Sequence, residues 1–215
     1  MNITYLGHSS FLLKNSTGKV VTDPFNATMM GKKFPKVEAD IVTISHEHED
    51  HNARTAVEGE PLIISIPGEY EKFDIRVSGF ETYHDKQQGE ERGKNTIFKI
   101  EMDDISILHC GDLGHTLSNE LIEEINGADV VLIPVGGFYT IDADEARQIV
   151  EKLEATIIIP MHYKVPDMNT DIMNNLAPVD DFLAKIGVTE PERMKTLSIK
   201  KADLDENTRI IVLES

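Results

Sequence analysis

One short segment constrains this chain more than any other: residues 46–51 read His-Glu-His-Glu-Asp-His. A run so rich in imidazoles and carboxylates suits neither a hydrophobic core nor an ordinary loop. Neutral imidazole nitrogens and carboxylate oxygens are the ligands that a borderline divalent cation prefers. We therefore interpret this segment as the centre of a metal site.

The residues before the segment indicate where it lies in the fold. Residues 39–45 are mostly apolar and β-branched, which predicts a buried strand. The histidines then follow the carboxyl end of that strand, where layered α/β proteins usually place ligand chemistry. Asp50 and His51 are expected to open the next helix, because aspartate suits the N-cap position.

The same reasoning identifies further candidate ligands elsewhere in the chain. His84, Asp112 and His162 each follow an apolar run, so they could gather at one rim of the sheets. A single histidine in such a position is more often a surface residue or a hydrogen-bonded structural residue. Several of them beside a dense cluster favour a shared metal site.

The remaining pattern predicts strands in the first half and mixed strands and helices in the second half. Two sheets with helices outside them, in a single domain over residues 1–215, fit this order. The predicted strands are residues 2–6, 10–14, 19–22, 39–45, 61–65, one or two within 73–82, 94–101, 105–109, 130–135, 156–160, 195–200 and 208–214, and the predicted helices are 118–126, 142–153 and 178–185.

Composition excludes several classes of function. The formal net charge of −17 argues against binding to a nucleic-acid backbone, which requires a basic face. No apolar run reaches the 18 residues that a membrane span needs, and no signal peptide is visible at the start of the chain. The single cysteine, Cys110, excludes an internal disulfide and agrees with a reducing cytoplasm.

The order of the motifs resembles the metallo-β-lactamase superfamily, in particular its short prokaryotic branch of uncharacterised metal-dependent hydrolases. The ascorbate-6-phosphate lactonases are similar but larger. The resemblance covers nearly the whole chain and implies a four-layer αββα sandwich with the metals in a cleft at the sheet edges. Its motifs are residues 7–11, 22–25, 46–51, 67–71, 83–85, 92–96, 111–115 and 159–163.

The resemblance also implies a ligand set, and no ligand position is substituted here. It assigns His46, His48 and His84 to a first metal. It assigns Asp50, His51 and His162 to a second metal, with Asp112 bridging both ions. The cofactor would be one or two divalent ions, of which zinc is preferred and manganese or iron also suits imidazole and carboxylate ligands.

Several neighbouring residues are predicted to support the site. His8 and Asp23 are candidates for holding the metal-binding imidazoles, and a substrate contact is an equal alternative for His8. His109 lies an odd number of residues before Asp112 on a strand, which predicts a structural role on the opposite face. Cys110 is expected to be a small buried hydrophobic residue, and His115 could cap the following helix.

The function expected from these residues is hydrolysis of a small ester, lactone or phosphodiester by a metal-bound hydroxide. Asp50 and Asp112 would fix the ions and orient the hydroxide, while His8 and Tyr163 are candidates for the general acid. Loops 26–36, 85–93 and 163–176 should shape the pocket for a small-molecule substrate. The alternatives are an iron-dependent redox enzyme on the same fold and a metal-binding protein without turnover.

Overall fold

Two β-sheets stacked face to face form the centre of the protein. The computed structural model describes residues 1–168, 171–204 and 207–215. The strands are β1 Asn2–Gly7, β2 Ser10–Lys14, β3 Lys19–Thr22, β4 Ile41–Thr43, β5 Leu62–Ile64, β6 Gly68–Lys72, β7 Ile75–Tyr83, β8 Lys94–Met102, β9 Ile105–His109, β10 Val130–Pro134, β11 Ile157–Met161, β12 Glu192–Met194, β13 Thr196–Ser198 and β14 Arg209–Leu213. The α-helices are α1 Ala27–Met30, α2 Asn119–Ile125, α3 Ala143–Leu153, α4 Asp171–Asn175 and α5 Val179–Lys185.

The first sheet has the strand order β13-β1-β2-β3-β4-β5, and the second has the order β12-β14-β11-β10-β9-β8-β7-β6. Each sheet combines antiparallel hairpins with parallel strands: β3, β4 and β5 run parallel, as do β9, β10, β11 and β14. Parallel neighbours place their carboxyl ends at the same edge, so residues that follow them meet there.

Successive side chains along the strands point to opposite faces of the first sheet, which gives two apolar layers. In β3 and β4, Val20 and Ile41 join the main core between the sheets, whereas Val21 and Val42 face a smaller outer cluster. Met30 of α1 and Met173 of α4 belong to that outer cluster, and α3 contacts both β10 and α5 beside the second sheet. The predicted four-layer αββα sandwich is therefore confirmed, with short helices and loops covering the first sheet.

Local sequence signals account for several of the observed turns and helix ends. The chain turns after β2, where the Asn15 side chain accepts from the backbone N–H groups of Thr17 and Gly18. Ser118 is the N-cap of α2, and Asp142 and Glu145 form a capping box at the start of α3. None of the described helices combines the length and apolarity needed to cross a bilayer.

The prediction that a helix begins at Asp50 and His51 is wrong. The chain makes a turn in which His51 N–H donates to His48 C=O at 2.9 Å, and only a short 3-10 turn, Arg54–Ala56, follows. The Asp50 carboxylate lies against His8 at 3.2 Å and does not cap a helix. The position that resembled an N-cap is instead used by the cluster.

Short elements were also missed. The segment after residue 66, where no strand is predicted, contains β6, which pairs with β7 through a tight turn at Phe73 and Asp74. Both turn residues have positive φ angles, 54° and 58°, a conformation that a phenylalanine does not signal. The predicted loop 26–36 contains α1, capped by Asn26, and β12 forms as a three-residue edge strand.

Candidate metal centre

Strand ends bring the predicted ligands together at one edge of the sandwich. Residues 46–51 follow β4, and His84 directly follows β7. Asp112 lies three residues beyond the end of β9, and His162 directly follows β11. Since these strands come from both sheets, the side chains meet in a cleft between the two sheet edges.

Three histidines form the outer donor set: His46, His48 and His84. Each offers a ring nitrogen, and these atoms all lie within 4.8 Å of one another. His46 and His84 are buried, whereas His48 is exposed to solvent. The outer donor set therefore has one side open to the cleft.

Four buried residues form the inner donor set: His8, Asp50, His51 and His162. Their ligand atoms also lie within 4.8 Å of one another. His8 Nε2 is 3.2 Å from Asp50 Oδ2 and 3.1 Å from His51 Nε2. The structure thus places His8 among the candidate ligand atoms themselves, closer to the centre than a purely supporting residue would lie.

Asp112 stands between the two donor sets. Its Oδ2 atom is 3.2 Å from His84 Nε2, 3.2 Å from His162 Nε2 and 3.3 Å from His51 Nε2. One carboxylate oxygen therefore contacts nitrogens of both sets. This is the position that a carboxylate shared by two neighbouring cations requires.

Asp23 and Ser45 orient two of the imidazoles. His51 Nδ1–H donates to Asp23 Oδ2 at 2.8 Å, so its Nε2 lone pair faces the inner set. The Ser45 hydroxyl donates to Asp23, and therefore accepts from His46 Nδ1–H at 2.9 Å. Both rings are held as the tautomer that a metal ligand needs, His51 by the direct carboxylate contact typical of metal-binding histidines and His46 through the Ser45 hydroxyl. Asp23 occupies the supporting position predicted for it.

Asn95 holds the segment that carries Asp112. Asp112 N–H donates to Asn95 Oδ1 at 3.0 Å, while Asn95 Nδ2 donates to Thr82 Oγ1 at 2.8 Å and to Cys110 C=O at 3.0 Å. Gly111, between Cys110 and Asp112, has a φ angle of +55°, and a Cβ atom at this position would collide with Asn95 Oδ1. Only glycine lets the strand end turn this sharply beside the amide.

Three residues of the centre adopt the left-handed backbone conformation. The φ angles of His8, Asp23 and His162 are 57°, 37° and 49°. His162 N–H donates to His8 C=O at 3.0 Å, which joins two of these residues across the sheets. Such conformations cost about 1–3 kcal/mol each and cluster at functional sites.

The electrostatics favour neutral imidazoles and charged carboxylates. Burial and the neighbouring His162 lower the pKa of His8 to about 4. Burial and His51 likewise hold the pKa of His46 well below its ordinary value. Burial would raise the pKa of Asp112, but His162 and His51 outweigh it and keep that pKa well below the ordinary range.

His51 is the exception among the ring nitrogens. Burial would lower the pKa of His51, but the carboxylates of Asp112 and Asp50 outweigh burial and raise that pKa well above the ordinary value. These carboxylates therefore favour a positive charge at this point of the inner donor set. A cation coordinated there satisfies the same two carboxylates.

Two buried atoms support a metal directly. His46 Nε2 and Asp112 Oδ1 have no hydrogen-bond partner among the described residues. An unsatisfied buried polar atom costs about 1–3 kcal/mol, so both atoms need a partner. A divalent cation bound by imidazole and carboxylate supplies one, and the donor chemistry of both sets fits zinc, manganese or iron.

The other polar candidates lie outside both donor sets. His109 Nε2–H donates to Ser9 C=O at 2.8 Å, a structural role, and Cys110 is buried, which raises its thiol pKa to about 12. His115 accepts from Tyr83 N–H at 3.2 Å and does not cap α2. Tyr163 packs in the core, where burial raises its pKa to about 12, a value that disfavours a proton-donor role at neutral pH.

A cleft of about 330 Å³ opens over the centre. Of the three predicted pocket loops, loop 26–36 contributes Met29 and loop 85–93 contributes Arg92. Loop 163–176 supplies Asn175, whose Nδ2 donates to the hydroxyl of Tyr139 on the cleft wall at 3.0 Å. Residues 169 and 170 of that loop lie outside the described residues. Phe25, Phe34 and Met30 pack in the outer apolar cluster.

The sequence reasoning missed several of these residues. Tyr139 lies beyond the end of β10, so the strand-end argument used for His84 and Asp112 could have found it. Arg92 and Asn95 lie within the motif 92–96, and Arg92 lies within the predicted pocket loop 85–93, but neither residue was assigned a role. Ser45 acts through hydrogen bonds to other site residues, and no spacing signal points to it.

Comparison with known proteins agrees with this architecture. A family model described as the β-lactamase superfamily domain matches residues 2–162. A crystal structure from Thermotoga maritima, described as a candidate Zn-dependent hydrolase of the metallo-β-lactamase superfamily, is 38% identical with a TM-score of 0.82 and covers 99% of this chain and 98% of that one. The metallo hydrolase Igni18 from Ignicoccus hospitalis, at 21% identity and a TM-score of 0.63 over 99% of this chain and 94% of its own, shares the fold.

Sequence relatives are consistent with these structures. A UPF0173 metal-dependent hydrolase from Desulforamulus reducens is 30% identical over 192 residues, covering 76% of this chain and 84% of its own length. One from Archaeoglobus fulgidus is 31% identical over 198 residues, covering 76% and 83%. The chain therefore belongs to the metallo-β-lactamase superfamily and is a metal-dependent hydrolase related to the UPF0173 proteins.

Proposed function

We propose that this protein hydrolyses a small ester, lactone or phosphodiester at a binuclear metal centre, most suitably of zinc. The observation that carries the proposal is the position of Asp112 Oδ2, within 3.3 Å of ring nitrogens from both donor sets. The outer ion would be held by His46, His48 and His84, and the inner ion by Asp50, His51 and His162, with Asp112 shared. The single buried cysteine agrees with a reducing cytoplasm.

A divalent ion held by these residues would lower the pKa of a water molecule bound to it towards about 7, and so would supply hydroxide at neutral pH. The chain's own contribution is to hold the ligands in place before substrate arrives. Asp50 and Asp112 set the negative charge that retains the cations, and Asp23 fixes the ring of His51. His8, neutral at pH 7, can hold the Asp50 carboxylate or exchange a proton through Nε2.

The cleft supports a small substrate. A volume of about 330 Å³ lies at the lower end of ordinary ligand pockets, and the exposed His48 gives access to the outer donor set. Long nucleic acids would require a basic groove, which a chain with a net charge of −17 does not favour.

The test combines metal analysis with a substrate panel. Purified protein would be analysed for metal content and assayed with 4-nitrophenyl esters, simple lactones and bis(4-nitrophenyl) phosphate. We expect one or two equivalents of a divalent metal and hydrolysis of at least one class. His48→Ala should lower that hydrolysis at least tenfold, whereas His115→Ala, which removes a histidine outside both sets, should keep it.

Three results would contradict the proposal. Protein that takes up no divalent metal on reconstitution would exclude the metal centre. Bound iron with oxygen uptake and no hydrolysis would favour the redox alternative, and stoichiometric metal with neither activity would favour a protein without turnover.

A further inference from the structure

Arg92 is an arginine that pairs with no carboxylate of the described residues, although the chain is strongly acidic. Asp and Glu number 38 against 21 Lys and Arg, and within the described part of the chain the other arginines all lie within salt-bridge distance of a carboxylate: Arg54, Arg76, Arg147, Arg193 and Arg209. No carboxylate of the described residues forms an ion pair with Arg92. A guanidinium left unpaired amid so much negative charge is available for an anion from outside the protein.

The Arg92 side chain lies in the cleft above the candidate metal centre. Its side chain lines the same cleft as His48, His84 and Asp112. Its guanidinium carbon lies over the Tyr139 ring, 4.8 Å from the ring centroid. A ring against one face of a guanidinium leaves the N–H groups at its edge to bind oxygen atoms.

The backbone of Arg92 is fixed by one buried carboxylate. Asp85 Oδ2 accepts from the N–H groups of Arg92 at 2.8 Å and Glu91 at 3.0 Å, and Asp85 Oδ1 accepts from Gln87 at 2.7 Å and Gly89 at 2.9 Å. Asp85 is also the residue that follows His84. The loop carrying Arg92 is therefore anchored directly beside an outer metal-ligand candidate.

We infer that Arg92 binds a second, non-reacting anionic group of the substrate, a carboxylate or a phosphate. This inference rests on the proposed function for the identity of the reacting bond and adds the class of substrate. The fork of N–H groups matches the two oxygens of either anion, and its preorganised loop lowers the cost of holding it in place. The substrate is then an ester, lactone or phosphodiester that carries a free acid group within reach of the centre.

Binding measurements test the inference without turnover. Calorimetry on the zinc-loaded protein would measure the dissociation constants of succinate and of inorganic phosphate for wild type, Arg92→Ala and Arg92→Lys. We expect Arg92→Ala to weaken one of the two anions by about 10- to 100-fold, since a hydrogen-bonded charge contact is lost. Arg92→Lys should restore part of the affinity, because it keeps the charge without the fork.

A matched control separates this contact from the general effect of removing a positive charge. Lys94 lies two residues further along and is neutralised by Glu81 at 2.7 Å. Lys94→Ala should leave the affinity for both anions within about twofold, since an exposed, paired charge contributes little. Equal losses in Arg92→Ala and Lys94→Ala would overturn the inference, as would unchanged affinity in Arg92→Ala.

A kinetic arm connects the anion to catalysis. If esters are hydrolysed, kcat/KM should be higher for mono(4-nitrophenyl) succinate than for its neutral methyl ester. Arg92→Ala should lower the ratio of these two kcat/KM values about 10- to 100-fold. Anion binding that depends on Arg92 with no hydrolysis would refute the proposed function and leave the anion subsite standing. Hydrolysis in which neither the kcat/KM ratio nor the anion affinity changes in Arg92→Ala would refute the anion subsite alone.

Discussion

The two donor sets of the centre differ in how firmly the fold holds them. Every member of the inner set is buried, and His51 is fixed by Asp23 at 2.8 Å. The outer set ends in His48, which is exposed on the cleft wall. The difference suggests a division of roles, in which a cation in the inner set is held tightly and one in the outer set exchanges ligands more readily.

The largest expected effect comes from removing the residue that the two sets share. Asp112→Ala should lose metal from both sets and lower hydrolysis about 10³-fold, because the carboxylate is buried between them. Metal analysis and the substrate panel would measure both outcomes. If only one equivalent of metal were lost, Asp112 would belong to a single set and the comparison would fail.

A smaller effect should follow from loosening the inner set more than the outer set. Asp23→Asn removes the charged acceptor of His51 Nδ1–H and should weaken the inner cation about 10- to 100-fold. The loss at the outer set should be smaller, because Asp23 reaches His46 only through the Ser45 hydroxyl. Competition with a chelator of known affinity would give the two dissociation constants. Asn keeps the shape of the side chain, and circular dichroism would show whether the variant is folded. Equal weakening at both sets would show that Asp23 stabilises the whole centre.

Chelator kinetics should separate the two sets in the unmodified protein. With excess chelator, we expect one equivalent of metal to leave about tenfold faster than the other, because His48 gives solvent access to the outer set. His48→Ala should remove the fast phase and keep the slow one. A single phase in wild type would mean that the two cations are released together.

The smallest effect is expected at Cys110, which neighbours Asp112 without joining either set. Cys110→Ala should leave the metal content unchanged and lower the free energy of unfolding by about 1 kcal/mol, as a small cavity in the core would. Denaturant unfolding and metal analysis would measure both. In folded wild type the thiol should resist alkylation, since burial raises its pKa to about 12. Loss of metal in this variant would identify the sulfur as a ligand.

Residues with metal-binding chemistry that follow an apolar run lie where the sequence predicted them, at one rim of the sheets. His84, Asp112 and His162 all reach the centre that residues 46–51 begin. Strands that depend on partners distant in the sequence were not predicted. β6 is stabilised by pairing with β7, and β12 by pairing with β14, so neither is visible in its own residues.

The position of His8 could not be predicted from the spacing of residues along the chain. The sequence predicted a supporting residue or a substrate contact for His8, because metal-binding imidazoles usually donate their second N–H to a neighbouring group. The fold brings its Nε2 to 3.1 Å from His51 Nε2, 43 residues away, through the pairing of β1 and β2 in the first sheet. A distance between two side chains depends on the register of intervening strands, which spacing along the chain does not encode.

Residue type and order establish which chemistry this protein contains: imidazoles and carboxylates at strand ends, apolar strands for two sheets, a turn at Asn15, and helix starts at Ser118 and Asp142. These are local properties of residue type and periodicity. The folded structure alone establishes how the donors divide into an inner and an outer set, that Asp112 contacts both, and that Arg92 lines the cleft without an ion pair to any described carboxylate. Those features depend on packing and on electrostatic partners that the folded chain alone brings together.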